Sequence, residues 1–241
     1  MRKYVTEFMG TFGLVFTVGC AVFSGSALAP LAIGAALMVL VYAGGHISGG
    51  HYNPAVTLGV FLRGKIQLAD AGPYWAAQFI GAFLAAWLAK FTAHPGFVQA
   101  LSTSGAHAVF AAMLAEFFFT FALVYVVLNV ATSKDQPGNQ FFGLAIGFTV
   151  ATGAFAVGRI SGGAFNPAVA FGAMLMGLIN WGNFYIYLIG NLLGAAVAAI
   201  AFKYLNPDDV LEGPLARRLV MPTHTTTATA TDGAAGGTPT A

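Results

Sequence analysis

A twelve-residue phrase occurs twice in this chain. Gly45-His46-Ile47-Ser48-Gly49-Gly50-His51-Tyr52-Asn53-Pro54-Ala55-Val56 returns 113 residues later as Gly158-Arg159-Ile160-Ser161-Gly162-Gly163-Ala164-Phe165-Asn166-Pro167-Ala168-Val169, with nine identities in twelve positions. The same offset aligns Tyr74, Gln78, Gly81 and Ala82 with Tyr187, Asn191, Gly194 and Ala195. An offset of 109 aligns Glu7-Phe8 and Thr11-Phe12 with Glu116-Phe117 and Thr120-Phe121. The chain is therefore a duplication, and whatever fold it takes must be built twice.

Composition says in what solvent. Only 7% of the 241 residues are Asp, Glu, Lys or Arg, too few to solvate a globular surface, while 58% are hydrophobic and 31 are Gly. That is the composition of a polytopic membrane protein, in which small residues let helices approach closely. A soluble enzyme is excluded. The single Cys20 excludes a disulfide framework or a Cys-based zinc site, and a net charge of +2 gives no reason to expect a nucleic-acid partner. No metal or cofactor is implied.

Long apolar intervals predict spans near 4–24, 30–46, 71–93, 108–131, 139–157 and 181–204, at about 20 residues each. Met1-Arg2-Lys3 and the apolar run up to Ser26-Ala27-Leu28-Ala29 superficially resemble a secretory signal. The run is too long for a signal core, Pro30 would follow the cut, and Glu7 recurs as Glu116, so the first helix is expected to be retained. Two further apolar stretches, 53–62 and 166–177, have only half the length of a span and suit re-entrant segments. From residue 205 the chain turns to Pro, Asp, Thr, Ala and Gly without periodicity, which predicts a disordered tail over 205–241.

Repeats of about 4–93 and 108–204 each hold three spans, an odd number, so the second enters the membrane from the opposite side. The two are inverted about an axis in the membrane plane. The expected fold is all-α, with six transmembrane helices and two re-entrant half-helices. With the N-terminus inside, Arg2, Lys3, Arg63, Lys65, Lys134, Lys203, Arg217 and Arg218 lie on the cytoplasmic side, and Lys90 and Arg159 outside. The positive-inside rule favours this orientation, in the plasma membrane with both termini cytoplasmic.

Each short segment begins Asn-Pro, favoured at the cap and first position of a helix because Asn accepts the orphan amides and Pro has none to lose. Ten residues give about 15 Å, so the half-helices that start at Asn53-Pro54-Ala55 and Asn166-Pro167-Ala168 meet N-terminus to N-terminus near the midplane. The glycine-rich stretches before them must descend without regular structure, which is tolerated at that depth only in protein or along a water-filled cavity. An aqueous pathway is expected.

These boxes resemble those of the major intrinsic proteins, the aquaporin and aquaglyceroporin family. The likeness runs from about residue 4 to 204 and includes Glu7, Glu116, Gln78 and Pro137-Gly138-Asn139 before Gly143-Leu144-Ala145-Ile146-Gly147. It implies a right-handed bundle, one pore per subunit and a homotetramer in the lipid bilayer. It also implies amide donors from Asn53 and Asn166 at the pore centre, with Glu7, Glu116 and Gln78 supporting the re-entrant loops.

Most members of the family follow the second box with Arg; here Val169 stands there. By the family's spacing the other filter positions are Ile33, Ala154 and Gly163, so the constriction is small-sided and apolar, without a fixed positive charge. Strict water selectivity is therefore doubtful, and water together with glycerol, urea, ammonia or hydrogen peroxide is the expected solute class. Arg159 is expected at the outer mouth, whereas His46 and His51 are expected to be hydrogen-bonded loop histidines. Two rivals remain: a proton-coupled transporter using the intramembrane Glu7 and Glu116, and a structural membrane protein with a closed pore.

Overall fold

The computed structural model describes residues 1–96 and 98–209. Six helices in it are long and apolar enough to cross a bilayer. In chain order the elements are α1 (Arg2–Phe23), α2 (Ala29–Ser48), the short α3 (Pro54–Arg63), α4 (Leu68–Ala93), α5 (Ala106–Val127), α6 (Phe142–Ser161), the short α7 (Pro167–Leu175) and α8 (Phe184–Leu205). A π-helical turn, Leu128–Thr132, prolongs α5, and a 3₁₀ turn, Trp181–Asn183, leads into α8. The molecule is a multi-pass membrane protein with two half-length helices.

The predicted spans hold in number and order, but α2 and α6 run further than the sequence suggested, to Ser48 and Ser161. Glycines at 44, 45 and 158 do not end them. The break comes where Gly49 and Gly162 take the left-handed conformation at φ 91° and close the helix by donating to the carbonyls of Gly45 and Gly158. Only 49–53 and 162–166 therefore descend without regular structure, a shorter stretch than expected.

Small residues set the packing. Within the first repeat α1 lies along α4, and within the second α5 lies along α8. Gly81 sits so close to α1 that a Cβ there would come within 2.6 Å of the Phe8 carbonyl oxygen, and at Gly194 one would come within 2.5 Å of the Phe117 oxygen. Between the repeats α2 crosses α6, where a Cβ on Gly34 would meet the Gly147 oxygen at 2.6 Å. Backbone-to-backbone approach of this kind is how membrane helices associate when lipid is as apolar as their side chains.

The first residues of the expected tail are held in place. Asn206 caps α8 by donating to Phe202 O at 2.9 Å, Pro207 and Asp208 are exposed, and Asp209 is buried. What draws Asp209 in is Arg63, counted in the sequence among the cytoplasmic-side cations and here buried at the end of α3 with its guanidinium 2.6 Å from the Asp209 carboxylate. The remainder of the predicted tail, 210–241, lies outside the described residues.

Candidate functional site

Asn53 and Asn166 cap the two half-helices as their Asn-Pro sequence requires. Asn53 Oδ1 accepts from Ala55 N at 2.8 Å and Val56 N at 3.4 Å, and Asn166 Oδ1 from Ala168 N at 2.9 Å and Val169 N at 3.3 Å. The amide nitrogens cross between repeats: Asn53 Nδ2 donates to Phe165 O and Asn166 Nδ2 to Tyr52 O, each at 2.9 Å. Each amide has two hydrogens, so one is spent on this cross-tie and one is left for the cavity. The sequence predicted the donors but not the tie.

Tyr52 and Phe165 hold unusual backbone to make it possible, with φ of 48° and 50° where non-glycine residues are rare. Close packing holds them there. The Tyr52 ring lies against Gly10 and Gly44, its hydroxyl donates to Leu40 O at 3.0 Å, and the Phe165 ring lies against Gly153. Gly50 and Gly163, at φ 63° and 65°, take the same left-handed conformation two residues earlier.

These turns aim loop amides at the two intramembrane carboxylates. Glu7 Oε1 accepts from the Ser48 hydroxyl at 2.7 Å and His51 N at 2.9 Å; Oε2 accepts from Tyr52 N at 2.7 Å and Gln78 Nε2 at 2.8 Å. In the second repeat Glu116 Oε1 accepts from the Ser161 hydroxyl at 2.7 Å and Ala164 N at 3.0 Å, and Oε2 from Phe165 N at 2.8 Å. Both carboxylates are fully buried and neither lines the cavity. Gln78 bridges Glu7 to the Thr57 hydroxyl at 3.0 Å, whereas its counterpart Asn191, one methylene shorter, accepts from Thr120 instead.

A cavity of about 950 Å³ runs between the repeats. Asn53 and Asn166 line it, as do all four predicted filter positions: Ile33 from α2, Ala154 from α6, Gly163 from the second descending loop and Val169 from α7. Pro54, Ala55, Pro167 and Ala168 are buried behind it in the first turns of α3 and α7. Arg159, in the last turn of α6, lines the cavity and is exposed. His46 is corrected: it lies in the last turn of α2 and is exposed, so it is not a loop histidine. His51 is hydrogen-bonded as expected, its Nδ1 3.1 Å from the Thr57 hydroxyl oxygen, but it also lines the cavity.

Sequence reasoning missed one wall altogether. Gln99 to Ser102, in the connection between the repeats, face the cavity because Leu101 is pinned to the second repeat: Leu101 N donates to Leu178 O at 2.8 Å and Asn180 N to Leu101 O at 3.0 Å. Asn183 fixes the next residues, exchanging bonds of 3.0 and 2.9 Å with the backbone of Thr103. The segment has no repeat counterpart, so no internal comparison could have flagged it.

Known proteins resemble the chain in sequence and in fold. The major intrinsic protein family profile matches residues 1–202. Aquaporin TIP1-2 of Zea mays is 40% identical over 219 residues, covering 85% of each chain. The glycerol uptake facilitator protein-like 6 of Lactiplantibacillus plantarum is 38% identical over 225 residues, 87% of this chain and all of that one. In three dimensions the aquaglyceroporin from Plasmodium falciparum superposes with a TM-score of 0.70 at 24% identity, over 90% of this chain and 98% of that chain. With its duplicated boxes, crossed asparagine caps and inter-repeat cavity, the chain belongs to the major intrinsic protein family.

Proposed function

We propose that the chain is a passive channel through which water and small uncharged solutes move down their gradients. The observation that carries this reading is an inter-repeat cavity lined by the two capping asparagines and by the small or apolar Ile33, Ala154, Gly163 and Val169. Relatives described as an aquaporin and a glycerol uptake facilitator support the same class. Glycerol, urea, ammonia and hydrogen peroxide are the solutes that suit such a constriction.

Mechanistically, Asn53 and Asn166 each offer one remaining N–H to a passing oxygen, and the N-termini of α3 and α7 present the positive ends of their dipoles. A water at that point accepts two hydrogen bonds and is turned so that it cannot hand a proton along the file; a cation there is repelled. Ile33, Ala154, Gly163 and Val169 act as the filter. With no arginine among them, the constriction is wide and poor in donors, and it passes molecules that shed hydration cheaply. Arg159 supplies positive charge at the outer mouth. Glu7, Glu116 and Gln78 hold the descending loops, since donors occupy both carboxylates away from the cavity, which leaves a proton-coupled cycle without a route. The charge distribution favours both chain ends on the cytoplasmic side of the plasma membrane, and exposed apolar faces suit lipid and a homotetramer.

Stopped-flow light scattering on proteoliposomes tests this. Osmotic water loss faster than from empty liposomes, followed by re-swelling on glycerol or urea entry, is expected. Val169→Arg should abolish the re-swelling and keep the water flux. Fast water loss without any solute entry would refute the wide filter, and solute flux that saturates and follows an imposed proton gradient would refute the channel.

A further inference from the structure

The two half-helices are seated at their far ends in different ways. The 113-residue offset pairs Arg63 with Met176 and Phe202 with Ala89. In the second repeat the seat is apolar: Met176 is buried beside Gly19 and Ala89, and a Cβ added to Gly19 would run into both side chains. In the first repeat the residue in that place is a buried guanidinium, its carbon 4.7 Å from the centre of the Phe202 ring. A cation taken out of water needs a partner with good geometry.

That partner comes from neither the half-helix nor a span. Asp209 lies four residues beyond α8 and meets Arg63 at 2.6 Å. Its other carboxylate oxygen accepts from Lys134 N at 3.1 Å, its own N–H donates to Asn206 O at 3.1 Å, and the Lys134 ammonium bonds to the Asp208 carbonyl. The far end of α3 is thus tied to the segment after α8 and to the connection between α5 and α6. At the near end of α3, ten residues away, stands Asn53, whose bond to Phe165 O is 2.9 Å long. A short helix moves as a rod, and an axial slip of about an ångström would break that bond.

We infer that Arg63 and Asp209 are positioning residues for Asn53: the segment that follows α8 sets the depth of the inner half-helix and through it the exclusion of protons. The inference rests on the reading of Asn53 as a pore donor. Its test is the ratio of proton leak, read with an entrapped pH-sensitive dye, to osmotic water permeability in the same proteoliposomes. That ratio does not depend on how many channels are folded. Asp209→Ala and a chain ending at Asn206 should raise it by at least about fivefold, the factor that one hydrogen bond's share of a barrier represents. A chain ending at Asp209 should stay within about twofold of the full chain by the same scale.

Where Asp209→Ala does not reconstitute, Asp209→Asn takes its place under the same criterion, keeping the acceptor for Lys134 and losing the charge. An unchanged ratio in the substituted protein and in the chain ending at Asn206, whatever the total flux, overturns the inference. A rise in the chain ending at Asp209 as large as in the one ending at Asn206 also overturns it. If the full chain conducts no more water than empty liposomes, it is the reading of Asn53 that has failed, and the tie falls with it.

Discussion

Replacing each intramembrane glutamate by glutamine separates a structural carboxylate from a proton carrier, and the two repeats predict similar costs. At Glu7 each oxygen accepts one loop amide, His51 N on Oε1 and Tyr52 N on Oε2, so whichever oxygen becomes an NH₂ leaves one buried backbone N–H unpaired, while the Ser48 hydroxyl or a turned Gln78 amide can accept from the new group. At about 1–3 kcal/mol for a buried donor left unpaired, Glu7→Gln should cost roughly 1–3 kcal/mol. At Glu116 the amides of Ala164 and Phe165 hold the same two places, so Glu116→Gln should cost about the same. Thermal unfolding of the purified proteins reads both losses, which should be alike. Water flux through whatever remains folded should be indifferent to an imposed proton gradient in all three proteins. No loss in either protein would show that the hydrogen bonds do not carry the stability. A stable Glu7→Gln protein that has lost a gradient-driven flux would establish the transporter.

Three further outcomes follow from packing and charge. Gly163→Ala places a methyl at φ 65° and 3.3 Å from Ala154 Cα, so it should lose about 1–2 kcal/mol from the left-handed backbone and slow solute re-swelling more than water loss, both read on one preparation. Gly194→Val should separate α5 from α8 and cost about 1–3 kcal/mol or more through overpacking, seen as a lower unfolding temperature, because the carbonyl it strikes is backbone and cannot turn aside. Burial pushes the Asp209 carboxyl up, but the Lys134 N–H, the Ser133 hydroxyl and Arg63 outweigh it and hold it below the usual carboxylate range. A lowered folded value means that its contribution is complete above the ordinary value near 4 and fades as pH falls through the lower one. The difference in unfolding temperature between the wild-type protein and Asp209→Asn should therefore be full at pH 7 and close towards pH 3.

The inverted architecture could be read from arithmetic, because an odd number of spans per repeat leaves no other way for the second phrase to face the first. The contacts of Glu7 and Glu116 could be anticipated for a similar reason: descending loops expose amides, and a neighbouring carboxylate at membrane depth can accept them. Local signals misplaced the ends of α2 and α6, since Gly44 and Gly158 look like helix breakers until the left-handed Gly49 and Gly162 are seen to do the breaking. Long-range facts were out of reach. That Gln99–Ser102 would wall the cavity depends on Leu101 finding Leu178 and Asn180, and that Arg63 would be buried depends on Asp209, 146 residues away.

The crossed bonds from Asn53 to Phe165 O and from Asn166 to Tyr52 O bear on how the chain is made. Each asparagine caps its own helix, but neither loop can satisfy its own side-chain N–H: the acceptor for each Nδ2 belongs to the other half. During synthesis Asn53 must wait for more than a hundred further residues before Phe165 arrives, so the first half-helix enters the bilayer unfinished and is locked only when the second dips in from the far side.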